Sequence, residues 1–179
     1  MASTSNVQVT GLKELNALLK TLPAKIEGNV MRGAMRASLK VIGDVAKTNI
    51  ASNGTIKTGT LQKSIRIGFK RKSETRYGWM RGMLTAGNED AWYAHFIEFG
   101  TASFYTGKGK TVGKPYEIRP KNRKSLFFAG LMREVIVHPG IHPKPFMRPA
   151  FDQANGKAIE TFADYIRNRL PKELGKAGR

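Results

Sequence analysis

The apolar positions change period several times along the chain, and each change marks an element. Val7 and Val9 alternate with polar residues, and after Gly11 the residues Leu12, Leu15, Leu18 and Leu19 fall at helical spacing. This pattern predicts a short extended arm and a short helix ending near Leu22. Pro23 suits a first helical position, and Ile26, Val30, Ala34, Ile42, Val45, Ala46 and Ile50 then form one stripe. A helix from Pro23 to Ala51 is expected, about 40 Å long at roughly 1.5 Å per residue. Gly28, Gly33 and Gly43 interrupt it and weaken its straightness.

Ser52-Asn53-Gly54 ends that helix, and Thr58-Gly59-Thr60 makes a second turn. Ile65, Ile67 and Phe69 then alternate with Arg66, Gly68 and Lys70, the mark of a strand with one wet face. Across a charged turn, Lys70 to Arg76, the segment Tyr77 to Thr85 reads as its hairpin partner. Trp92 to Phe99 is mostly apolar and closes at Gly100, so Trp92, Tyr93, Phe96 and Phe99 are expected in the core; base stacking is the rival reading. Three further strands are expected at Tyr116–Arg119, Ser125–Ala129 and Glu134–Val137. Pro139, Gly140, Pro143 and Pro145 make an extended connection. Met147, Ala150, Phe151, Ala154, Ile159, Phe162, Ala163, Ile166 and Leu170 trace a C-terminal amphipathic helix, with Pro149 in its first turn and Pro171 after it. The order implies an α+β fold: an antiparallel sheet packed against a long N-terminal helix and a C-terminal amphipathic helix. A single domain over residues 1–179 is expected, with a flexible basic loop near 101–115 and a frayed tail at 172–179.

Composition sharpens this in two ways. The 179 residues hold 31 Lys and Arg against 13 Asp and Glu, a net charge of +18. Such an excess points to an acidic partner: nucleic acid, an anionic membrane surface or a complementary acidic protein. The chain has no cysteine, which excludes a disulfide framework, a zinc ribbon and a thiol nucleophile, and suits synthesis in a reducing cytoplasm. The polar, uncharged start is unlike a signal peptide, and no run approaches the 18 or so apolar residues of a membrane span.

Candidate chemistry is sparse. His138 and His142 stand four apart, but Pro139, Gly140 and Pro143 forbid the helix that would make them a metal pair. Gly107-Lys108-Gly109-Lys110-Thr111 looks like the end of a phosphate loop, yet Phe104 stands where a glycine is needed and Gly113 and Pro115 follow where a helix must start. A basic loop is left, either solvated or gripping an anionic partner. The acidic residues are scattered; the adjacent pair Glu89-Asp90 sits in a polar turn, and no nucleophile stands out beside a base. No catalytic, cofactor-binding or metal residue is assigned.

More specific motifs recur in order: Val9-Thr10-Gly11-Leu12-Lys13-Glu14-Leu15, Leu22-Pro23, Thr58-Gly59-Thr60-Leu61 with Ser64-Ile65, Tyr93-Ala94, Ile97-Glu98-Phe99-Gly100-Thr101, His138-Pro139-Gly140, and Pro145-Phe146-Met147-Arg148-Pro149-Ala150. Together they resemble the tail-completion, or head-tail joining, family of long-tailed double-stranded DNA bacteriophages. The resemblance implies a structural virion protein without enzymatic activity or cofactor. It also implies a homo-oligomeric ring, hexameric in form, at the head-proximal end of the tail, touching neck and tail-tube proteins, with DNA in the central channel and no membrane. The runner-up is a basic nucleic-acid-binding domain acting outside a virion, and a small nuclease or toxin stands third.

Two sets of residues follow as candidates. Lys70, Arg71, Lys72, Lys108, Lys110 and Lys114 are expected to face solvent and meet anionic surfaces in the particle. Glu98, carried toward the core by its apolar neighbours, needs a cation or several N–H donors; Arg148, at the start of the last helix, is the expected partner, in its own subunit or the next.

Overall fold

The computed structural model describes residues 24–54, 58–70, 80–108, 112–121 and 124–177. The expected N-terminal arm and short helix, like Arg71, Lys72 and Lys110, lie outside them. In chain order the elements are α1 (Ala24–Ser52), α2 (Thr60–Lys63), β1 (Arg66–Lys70), β2 (Arg81–Thr85), α3 (Ala94–Phe99), a 3-10 turn (Ala102–Phe104), β3 (Tyr116–Ile118), β4 (Leu126–Phe128), β5 (Leu131–Arg133), β6 (Ile136–His138) and α4 (Met147–Ala177). The fold is α+β. The strands pair as three separate two-stranded antiparallel ladders rather than one sheet. The chain separates into two compact units, one holding residues up to Ala86 together with those from Arg148 onward, the other Gly87–Met147.

In the first unit α1 forms where the apolar stripe predicts it, and Val30, Ala34, Ile42, Ala46 and Ile50 are its buried positions. It ends where Gly54 takes φ +63° and donates its N–H to the Ala51 carbonyl at 3.2 Å. One face of α1 covers the β1–β2 ladder. Register pairs Ile67 with Leu84 and Phe69 with Gly82, and a Cβ on Gly82 would stand 3.0 Å from Leu39 Cδ1. Another face meets α4, with Val30, Ala34 and Ile166 at the centre and Met31, Phe162, Tyr165 and Leu170 around them. Gly33 earns its place inside α1 because the Tyr165 ring occupies the space a Cβ would take, with Cε1 only 2.7 Å away.

The C-terminal helix corrects one expectation. Pro171 does not stop it, and the helix continues to Ala177. A proline removes one N–H and crowds the carbonyl of the preceding turn, but it does not prevent the next turn from forming. Here the Arg169–Glu173 ion pair, 2.8 Å long, spans the proline.

In the second unit β3 pairs with β6, Tyr116 opposite His138 and Ile118 opposite Ile136. The ladder β4–β5 is a hairpin the alternation did not predict in full, because β5 has no clear period of its own. Its two-residue turn is Ala129-Gly130, both at positive φ (51° and 79°), as a turn matching the twist of the strands requires.

Candidate functional site

The segment Ala91–Thr101 is tied by hydrogen bonds to several other parts of the second unit. Asn88 Oδ1 accepts the Ala91 N–H at 2.8 Å, which turns the chain into α3. Helical rather than extended geometry then decides which side chains are inside. Ala91, Ala94 and Glu98 are buried, at intervals of three and four, while Trp92 is 68% and Phe96 39% exposed. The expectation that the four aromatics form the core is therefore overturned: Trp92 and Phe96 face solvent, and Tyr93 and Phe99 are half-buried. The aromatics pack on each other instead, Trp92 edge-on to Phe96 with centroids 5.6 Å apart and His95 beside Phe99 at 4.9 Å.

Gly100 ends α3 at φ +75° and ψ −173°, a conformation open almost only to glycine. A Cβ there would also stand 2.7 Å from the Phe104 carbonyl oxygen and 2.8 Å from that of Ile141. Both crowding atoms belong to backbone, so they cannot swing aside. The close approach lets residues 97–101 run along residues 141–147. Thr101 donates its N–H to the Ile141 carbonyl at 3.0 Å, and Ile141 donates its N–H to Thr101 Oγ1 at 2.9 Å. Lys144 donates to the Ile97 carbonyl at 2.8 Å.

Glu98 completes this clasp. Its Oε2 accepts the N–H of Phe146 at 2.7 Å and of Met147, the first residue of α4, at 3.0 Å. The first N–H groups of a helix have no partner within it, and a carboxylate is well suited to satisfy them. Glu98 is only 5% exposed, and Phe146 1%. The carboxylate thus does from another segment what an N-cap side chain does locally. Of the two ways expected to satisfy Glu98, a cation or several N–H donors, these two bonds are of the second kind. Arg148 follows one residue later, exposed, within the unit that holds the rest of α4.

The histidines have structural partners. His138 Nδ1 accepts the Gly140 N–H at 3.0 Å, and the His142 ring lies 3.6 Å from that of Phe104. Among the described residues no group of three or more His, Asp or Glu side chains gathers as a metal set. Nor is any described helix long and apolar enough to cross a membrane.

Of the basic candidates, Lys70, Lys108 and Lys114 are all exposed, Lys70 on the first unit and the other two on the second. Sequence reasoning did not single out Arg32 and Arg36. They line a small cavity of about 230 Å³ with Phe69, Lys70 and Met80, and their spacing of four on a predicted helix was the available signal.

Residues 13–100 match the family model HK97-gp10_like, described as "Bacteriophage HK97-gp10, putative tail-component". Over just under half of the chain, the protein is thus similar to a family of phage tail components. The matched part takes in α1 to α3 and stops at Gly100, so the HK97-gp10-like segment ends at the clasp. The segment His138–Met147 lies beyond the match, and Glu98 reaches it from inside. Comparison with curated proteins and with solved structures finds no match.

Proposed function

We propose that the protein is a non-enzymatic tail-completion component that assembles into a closed, hexameric ring at the head-proximal end of the tail and joins the tail to the neck. The HK97-gp10-like segment supports the tail, and one feature of the second unit supports the ring. In the β4–β5 hairpin Phe127 stands opposite Met132, and the two are 74% and 67% exposed. A two-stranded hairpin is marginal alone, and apolar side chains held out on one are suited to docking on another protein. Leu131, Trp92, Tyr116 and Val137 of the same unit are also exposed. Most of the charge lies elsewhere: residues 87–147 hold nine basic and five acidic side chains, net +4, which leaves +14 on the other unit.

A head-to-tail ring needs two different complementary faces on each subunit. Exposed apolar side chains on one unit and the larger share of the positive charge on the other supply surfaces of different character. The exposed Lys70, Lys108 and Lys114, with Arg71, Lys72 and Lys110, then meet anionic surfaces of DNA or of neighbouring neck and tail-tube proteins.

Imaging of particles made with and without the gene tests the reading. A ring at the neck is expected in the first, and unjoined heads and tails in the second. Joined, infectious particles without the gene would refute it. In the purified protein, Phe127→Asp is expected to abolish self-association while leaving thermal unfolding of the subunit within a few degrees of the parent.

A further inference from the structure

We propose that Arg32, Arg36 and Lys40 of α1, with Lys70 at the end of β1, form a surface that grips the sugar-phosphate backbone of double-stranded DNA. The inference goes beyond the tail reading for Arg32, Arg36 and Lys40, to which that reading gives no ligand, and rests on it only for Lys70, already turned there toward an anionic surface.

Three observations place these residues together. Arg32, Arg36 and Lys40 are all exposed and follow one another at intervals of four on one side of α1. Like charges at that spacing repel and lower helix stability unless something else neutralises them. Second, Lys70 lies directly opposite Arg81 in the β1–β2 register, another like-charge pairing that disfavours the ladder. Third, the cavity of about 230 Å³ brings Arg32, Arg36 and Lys70 to one place over an apolar floor of Phe69 and Met80. Arg36 is held there, its guanidinium 5.3 Å from the centre of the Phe69 ring.

Among the described residues no carboxylate resolves the repulsion. Among the described residues Arg32, Arg36, Lys40, Lys70 and Arg81 enter no ion pair, and Asp44, next in the α1 row, is paired with Lys47. The unit that carries them holds +14 of the net charge, enough to draw in a polyanion before any contact forms.

Spacing favours nucleic acid over an acidic protein. Four helical residues advance about 6 Å, so the row offers cations at about 6 Å intervals over about 12 Å. One DNA strand carries a phosphate every 3.4 Å or so of axis, and because the strand winds around that axis neighbouring phosphates stand farther apart in space than this rise, close to the spacing of the row. Carboxylates on a folded protein have no such repeat. A guanidinium also donates two parallel hydrogen bonds to a phosphate, and the apolar floor is suited to the deoxyribose between phosphates.

Fluorescence anisotropy of a labelled duplex of mixed sequence, titrated with the full-length protein across a series of salt concentrations, tests this. Arg32→Ala/Arg36→Ala is expected to weaken binding at least about tenfold and to reduce the slope of log K against log salt by about two, one per lost phosphate contact. The control Lys121→Ala/Lys124→Ala removes the same charge from exposed positions of the other unit and is expected to leave the slope within about half a unit. Arg32→Lys/Arg36→Lys is expected to keep the slope and lose only part of the affinity. Equal losses in the two alanine pairs would reduce the surface to bulk charge and overturn the proposal. So would the absence of duplex binding by the parent protein, or a loss of affinity for polyglutamate with duplex binding unchanged. Unaltered thermal unfolding of the double variant ties the loss to contact. The assay needs no ring, so its failure leaves the tail reading standing, and normal particles without the gene would leave this binding intact.

Discussion

Glu98→Ala removes the one carboxylate oxygen that accepts both the Phe146 and the Met147 N–H. The Phe146 donor is buried in a residue 1% exposed, so water cannot replace the lost acceptor without opening the segment. A buried N–H left without a partner costs about 1–3 kcal/mol, and the half-buried Met147 donor costs less. A loss of about 2–4 kcal/mol follows, large against the 5–15 kcal/mol that holds a typical domain folded. For a chain of this length it corresponds to a Tm lowered by roughly 5–15 °C. Glu98→Gln keeps a carbonyl oxygen in place but gives up the charge, which roughly halves the strength of each bond, so its cost is expected at about half that of alanine. Thermal and urea unfolding give the totals. Hydrogen exchange at the Phe146 and Met147 amides gives the local effect, and protection there is expected to fall first and furthest. A Glu98→Ala protein that unfolds within about 0.5 kcal/mol of the parent with both amides still protected would refute the clasp.

Four further outcomes are expected. A double-mutant cycle on Glu98 and Arg148, read by urea unfolding, measures the proposed pairing: coupling above about 1 kcal/mol supports a desolvated pair, and coupling near zero assigns Glu98 to its N–H donors alone. Gly100→Ala combines a positive φ with crowding by two carbonyl oxygens, and is expected to cost more than the 1–3 kcal/mol of backbone strain alone; a neutral result in chemical unfolding would contradict the described turn. Gly156→Ala, in the interior of α4 with nothing within 4 Å of the new methyl, is expected to stabilise by about 0.5–1 kcal/mol. Gly33→Ala is expected to lose that gain because the Tyr165 ring must move, and the two variants compared by calorimetry test the helix contact.

The pattern of apolar residues was enough for elements whose period is long or clean. The α1 stripe from Val30 to Ile50 repeats over many turns, and the alternation around Ile67 and Phe69 belongs to a strand with one covered face. Sequence also marked Glu98 as a carboxylate in apolar company and placed it opposite the stretch Pro145–Arg148, where two of the donors it meets are main-chain N–H groups. Those donors are invisible in a sequence because every residue but proline has one. Three features depended on the tertiary structure for the same kind of reason. Whether Trp92–Phe99 buries its aromatics turns on period, and eight mostly apolar residues fit a helix or a strand until Asn88 and Gly100 set the ends. Whether Pro171 stops α4 turns on the turns either side of it, held here by an ion pair of residues four apart. The meeting of Arg32 and Arg36 with Lys70 is decided by α1 lying across β1, a long-range contact that local preference does not encode.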